Sequence, residues 1–104
     1  MSTAVSRRLF CSFSVNTGAT KTALSGVTPS GDANPLGTDK VIASLIMQSN
    51  QAISFLFDTN TGTPFPLAAN VAFGETASVG NEIKEIYISN ASGSTATINI
   101  YFKT

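Results

Sequence analysis

The side chains that most often carry out catalysis are scarce in this sequence. It contains no histidine and a single cysteine, Cys11, so neither a Ser-His-Asp nor a Cys-His arrangement can form. Histidine is also the side chain best suited to act as a general base near neutral pH. The six carboxylates show no spacing that singles out a pair for glycoside hydrolysis. The sequence therefore predicts a protein that is not an enzyme and has no catalytic residues.

Residues 58–62 match the beginning of a calcium-binding loop, because oxygen-bearing side chains alternate along D-T-N-T-G. The match ends there, since Ala69 occupies the twelfth position, where such a loop needs a bidentate carboxylate. One cysteine cannot build a structural zinc site, and no glycine-rich phosphate-binding motif occurs. We therefore expect no metal and no cofactor, and we interpret residues 58–62 as a turn in which Gly62 takes a positive φ.

The length and charge of the chain narrow the class of partner. Its 104 residues fit one domain, and six basic side chains balance six acidic ones. A neutral chain with only 12% charged residues has no general attraction for nucleic acid or for an anionic membrane. Arg7 and Arg8 make the N-terminal segment locally basic. The sequence has no apolar N-terminal signal and no run of about 20 apolar residues, so we expect neither export nor membrane insertion.

Alternating apolar and polar residues predict β-strands along much of the chain. Residues 7–15 alternate, and Cys11 lies on their apolar face, so we predict that it is a small buried side chain. Residues 16–40 are rich in glycine and proline, which predicts a long loop or arm with at most one short strand. Residues 41–48 and 53–57 are predicted as two strands joined by a tight hairpin.

The C-terminal segment, residues 82–104, gives the clearest pattern. Two strictly alternating runs flank the sequence N-A-S-G-S, which has the length and composition of a hairpin loop. One face of this predicted hairpin carries isoleucines and a phenylalanine, whereas Tyr87, Asn99 and Tyr101 lie on the other face. With about seven or eight strands in total, the chain is predicted to be all-β, an antiparallel β-sandwich or jelly roll with an extended N-terminal segment or arm.

Three stretches carry a resemblance to a known group of proteins. They are P-F-P-L-A-A-N, G-E-T-A-S-V-G and I-K-E-I-Y-I-S-N-A-S-G-S-T-A-T-I-N-I-Y-F. Over residues 41–104 the sequence resembles the small jelly-roll or β-sandwich decoration (cement) and head-fibre proteins of tailed bacteriophages. The resemblance implies a virion protein that is made in the host cytoplasm, forms a homo-oligomer, usually a trimer, and binds the major capsid protein or another virion protein.

This resemblance gives the candidate interface residues a role. We predict that Arg7, Arg8, Tyr87, Asn99 and Tyr101 contact the partner, and that the arm becomes ordered on assembly. Two other functions remain open. In one, the two tyrosines and Asn99 form a stacking platform of a carbohydrate-binding module. In the other, the chain is a component of a phage tail or baseplate.

Overall fold

The computed structural model describes residues 7–38 and 41–104, and these residues form nine strands and no α-helix. In chain order the strands are β1 (Arg8–Val15), β2 (Ala19–Ala23), β3 (Ser30–Gly31), β4 (Ser44–Ser49), β5 (Ile53–Phe57), β6 (Phe65–Leu67), β7 (Phe73–Thr76), β8 (Ile86–Asn90) and β9 (Ala96–Lys103). One turn of 3-10 helix, Leu24–Gly26, follows β2. The all-β prediction is confirmed.

The strands form two antiparallel sheets that pack face to face as a β-sandwich. The five-stranded sheet has the order β3-β1-β9-β4-β7, and the four-stranded sheet has the order β2-β8-β5-β6. Without the two-residue strand β3, each sheet has four strands, and the chain crosses repeatedly from one to the other. This strand order is that of a jelly roll.

The inner faces of the two sheets build one hydrophobic core. Its side chains follow the period of two that the sequence shows, and they include Phe13, Met47, Phe55, Ile86, Ile88, Ile98, Ile100 and Phe102. Cys11 belongs to this core and is fully buried, as predicted. Burying a side chain of this size contributes about 1.5 to 3 kcal/mol, so the core accounts for much of the stability of the sandwich.

The predicted C-terminal hairpin is wrong, because β8 belongs to the four-stranded sheet and β9 to the five-stranded sheet. Alternation identifies the buried face of a strand but does not identify its neighbours. Strand β9 already has a neighbour on each side, since β1 and β4 both pair with it. The same correction applies to residues 49–51, which lead from β4 to β5 in the opposite sheet. Both loops are crossings between sheets.

The prediction of a long loop or arm with at most one short strand over residues 16–40 is wrong in the number of strands within its described part. Strands β2 and β3 lie within it, and Leu24 and Leu36 are buried in the core. The Nδ2 of Asn34 donates to the carbonyl oxygens of Leu24 and Val27, which fastens the loop to the 3-10 turn. The register shift between Ala19 and Thr22 interrupts the alternation that would have marked β2. Residues 39–40 of the predicted arm lie outside the described residues.

Candidate interface on the five-stranded sheet

Three large apolar side chains lie side by side on the outer face of the five-stranded sheet. In the register of the sheet, Tyr101 of β9 is directly opposite Phe10 of β1 on one side and Ile46 of β4 on the other. Side chains in such positions are close neighbours, with Cβ atoms about 4.5 to 5.5 Å apart. Phe10 is 45% exposed, Tyr101 44% and Ile46 56%. We call these three residues the outer apolar row.

Polar residues border the outer apolar row on both sides. On one side Asn99 is paired with Ser12 and Gln48, and the Ser12 hydroxyl donates a 2.8 Å hydrogen bond to Asn99 Oδ1. On the other side Lys103 lies opposite Arg8, so this end of the face carries two positive charges. The face is therefore an apolar band between an uncharged polar band and a basic end.

The short strand β3 holds the backbone of Phe10 at the edge of this face. Asp32 accepts a 2.9 Å hydrogen bond from the Phe10 N–H through Oδ2, and its own N–H donates to the Phe10 carbonyl oxygen at 2.9 Å. Gly31 allows this approach, because it has a φ of +95° and a Cβ there would lie 2.5 Å from the Phe10 oxygen. The backbone conformation and this close contact therefore require glycine at position 31.

The structure brings three of the five predicted interface residues together, since Arg8, Asn99 and Tyr101 share this outer face. Arg7 lies just before β1, where its N–H donates to Thr104 Oγ1 at 3.3 Å. Tyr87 is separate from them, because it belongs to the four-stranded sheet, where it is half-buried. The prediction that Tyr87 and Tyr101 share one face of a hairpin is therefore wrong.

Phe10 and Ile46 were missed by the sequence reasoning. Phe10 occupies an outward position in the predicted strand, but one exposed aromatic residue in a strand is common and gives no signal by itself. Ile46 lies in an almost continuous apolar run, where the two faces cannot be distinguished. Only the register of β1, β9 and β4 shows that these two residues flank Tyr101.

Cys11 lies directly beneath this face, on the inner side of β1. Its Sγ is 3.4 Å from the Asp32 carbonyl oxygen and 3.8 Å from that of Ala33. Burial raises the pKa of the Cys11 thiol, and the negative charge of Asp32 raises it further. The thiol is thus held in its protonated form, which is unreactive as a nucleophile.

Neither a cluster of metal-binding side chains nor a membrane-crossing helix occurs in the described residues. Within residues 7–38 and 41–104, no group of three or more His, Cys, Asp or Glu side chains is arranged to hold a metal ion. No helix in these ranges is long and apolar enough to cross a membrane. The turn at residues 58–62 forms as predicted, with Gly62 at a φ of +99°.

The sequence matches no protein-family model and no curated protein. The function is therefore inferred from the sandwich and from the chemistry of its exposed surfaces.

Proposed function

We propose that this chain is a non-enzymatic virion structural protein, a decoration protein that binds the outer surface of a phage head. The observation that carries the proposal is the outer apolar row, Phe10, Tyr101 and Ile46. The binding surface is the outer face of the five-stranded sheet, and the partner is the major capsid protein or another protein of the virion.

The outer apolar row has the composition of the centre of a protein interface. Such centres are enriched in aromatic residues and depleted of Lys and Glu, and they are bordered by polar residues that remain in contact with water. Phe10 and Tyr101 supply the aromatic area, and Asn99 and Gln48 border it on one side. The band of adjacent exposed apolar side chains lies on a rigid sheet, so little side-chain and backbone freedom is lost when a protein docks there.

The basic end of the face favours one orientation of the partner. Arg8 and Lys103 are exposed and opposite each other, and Arg7 is the residue before Arg8 in the sequence. A patch of acidic side chains on the capsid surface would align with this end and increase the association rate. The low charge content of the whole chain, 12%, suits the close-packed contacts of a homo-oligomer, and we propose a trimer.

The carbohydrate-binding alternative loses its predicted platform. Tyr87 and Tyr101 lie in different sheets, so one sugar chain cannot stack on both. The tail or baseplate alternative predicts the same kind of interface and differs only in its place on the particle. Immunogold labelling of tailed phage particles in the electron microscope separates the two, since label on the head supports the proposal and label confined to the tail contradicts it.

A binding experiment tests the surface itself. The purified chain is mixed with empty heads assembled from the major capsid protein of the same genome, and the bound fraction is measured by cosedimentation. Tyr101→Ser should weaken binding by roughly thirtyfold or more, the loss expected of a central aromatic residue. Val79→Ser is the matched control, because Val79 is 99% exposed and lies outside the outer apolar row. Equal binding by the two variants would contradict the proposal.

A further inference from the structure

A phenylalanine-lined cleft opens at the edge of the sandwich where β6 and β7 end their sheets. The ring of Phe73 on β7 lies 4.8 Å from that of Phe55 and 6.1 Å from that of Phe57, between ring centroids. Phe65 on β6 stacks on Phe55 at 6.0 Å and is 67% exposed. These rings and Glu75 border a cavity of about 530 Å³. The cleft has room for an apolar side chain from another molecule.

The cleft continues into a second cavity that is acidic. This cavity has a volume of about 440 Å³, shares Phe57 and Glu75 with the first, and is also lined by Asp58 and Asn81. No Lys or Arg lines either cavity in the described part of the chain. Asp58 Oδ1 already accepts the N–H groups of Lys84 and Glu85, whereas the Glu75 carboxylate has no such partner among the described residues. A ligand that fits the two cavities together has an apolar group followed by a cation.

Strand β7 presents backbone hydrogen-bonding groups beside this cleft that pair with no described residue. The N–H of Ala77 donates to the carbonyl oxygen of Ala43 at 2.7 Å, which fixes the alternation of the ladder between β7 and β4. By that alternation Phe73 and Glu75 bond to β4, and the backbone groups of Gly74 and Thr76 point away from it. Since β7 is the last strand of its sheet, these groups form an open edge.

The other three edge strands in the described ranges carry a proline, a bulge or only two residues, whereas the protective feature of β7 is the exposed charge of Glu75, which a cation can pair with. Strand β2 contains a register shift and Lys21 at a φ of 47°. Strand β6 has Pro66 at its centre, and β3 is only two residues long. Prolines, lysines, bulges and short length are the usual means by which edges avoid new partners.

We propose that the open edge of β7 binds an extended segment of a partner protein as an additional strand. An apolar side chain of that segment enters the phenylalanine-lined cleft, and a Lys or Arg two residues along, on the same face, meets Glu75. A second copy of β7 does not fit, because two-fold antiparallel pairing would bring the two Glu75 carboxylates close together and supply no cation. This site goes beyond the proposed function and does not depend on the outer apolar row.

A peptide titration tests the proposal. The probe is the synthetic peptide acetyl-Thr-Phe-Thr-Arg-Thr-Val-Thr-amide, in which Phe, Arg and Val share one face of a strand. The control peptide has Glu in place of Arg. Titrated into the ¹⁵N-labelled protein, the Arg peptide should shift the amide resonances of Gly74 and Thr76, and it should bind about tenfold more tightly than the control. Absence of these shifts at millimolar peptide, or equal binding of both peptides, would overturn the proposal.

Variants at two positions test separately the backbone N–H of Gly74 and the charge of Glu75. Gly74→Pro removes an edge N–H that β4 does not use, and should abolish binding, whereas Gly74→Ala keeps the N–H and should bind normally. Glu75→Lys should reverse the preference, so that the Glu peptide binds more tightly, and this variant remains informative if Gly74→Pro fails to fold. Sedimentation velocity shows whether the wild type dimerises through this edge. A dimer that Gly74→Pro disrupts and Gly74→Ala preserves would assign the edge to a second copy and overturn the proposal.

Discussion

The outer faces of the two sheets differ in how they use their apolar side chains. On the five-stranded sheet, Ile46 and its two neighbours in the outer apolar row are each more than 40% exposed. On the four-stranded sheet, the corresponding row joins Ala23, Tyr87 and Leu56. There Leu56 is only 8% exposed and Tyr87 is half-buried. Both sheets alternate in sequence, but only the five-stranded sheet leaves a row of large apolar side chains in contact with water.

This difference separates side chains that the fold needs from side chains that it does not. Leu56 is removed from water by its own chain, so its burial contributes to the stability of the monomer. The outer apolar row remains largely in water in the monomer, and its burial would contribute to binding a partner. Variants of the four-stranded row should therefore lower the stability of the monomer, and variants of the outer apolar row should weaken partner binding.

The largest effect on stability is expected at the crossing that keeps β8 and β9 in separate sheets. Asn90 is fully buried, and its Nδ2 donates 2.9 Å hydrogen bonds to the carbonyl oxygens of Val15 and Ser94. Asn90→Ala leaves both acceptors without this donor and should lower the free energy of unfolding by about 3 kcal/mol. Urea denaturation measures the change. Thr95→Ala, in the same loop but exposed, is the control and should change stability by less than about 0.5 kcal/mol.

The next largest effect on stability is expected from truncating a side chain on the outer face of each sheet. Leu56→Ala should lower the free energy of unfolding by about 2 kcal/mol, because it removes a buried side chain. Ile46→Ala, a similar truncation at a 56% exposed position, should lower it by less than about 1 kcal/mol. Chemical denaturation of both variants at one pH gives the comparison. Equal losses would mean that the outer apolar row stabilises the monomer as much as the four-stranded face does.

Much of the fold could be predicted from the sequence because burial imposes a period of two. The alternation in residues 7–15 and 96–102 identified the inner faces of β1 and β9, including buried Cys11. Strand pairing could not be predicted in the same way. Turn sequences such as N-A-S-G-S suit a hairpin and a crossing between sheets equally well, and the choice depends on which distant strand lies beside β9. That information comes from residues more than ninety positions apart, as in the pairing of Phe10 with Tyr101.

The candidate site was predictable only one strand at a time. Tyr101 and Asn99 were identified as outward residues of β9, and Arg8 as part of the basic segment at the start of β1. Their grouping with Ile46 required the register of three strands. Tyr87 was grouped with them because its segment adjoins β9 in sequence, although the two segments enter different sheets.

A smaller effect is expected where β3 supports the outer apolar row. Gly31→Ala introduces a Cβ 2.5 Å from the Phe10 carbonyl oxygen at a φ of +95°. Gly18→Ala has a similar φ of +85° but open space around its Cβ, so it isolates the strain of the backbone alone. We expect Gly31→Ala to lower the free energy of unfolding by at least about 1 kcal/mol more than Gly18→Ala. Hydrogen exchange at the Phe10 amide should accelerate only in Gly31→Ala, and equal exchange in both variants would show that β3 does not hold the row.

The smallest effect on the free energy of unfolding is expected at Cys11, which lies beneath the outer apolar row. This effect appears only at alkaline pH. Its pKa is raised above the ordinary 9.0, first by burial and then by Asp32, so the folded chain retains the thiol proton when the unfolded chain has lost it. Folding then binds a proton in this range, and the free energy of unfolding falls as pH rises above about 9. Cys11→Ala removes the titrating group. The difference in unfolding free energy between wild type and Cys11→Ala, measured in urea at several pH values, should therefore stay constant below this range and shift against the wild type within it. If this difference were the same at every pH, the pKa of Cys11 would be the same in the folded and the unfolded chain. The core beneath the outer apolar row would then not exclude water from the thiol.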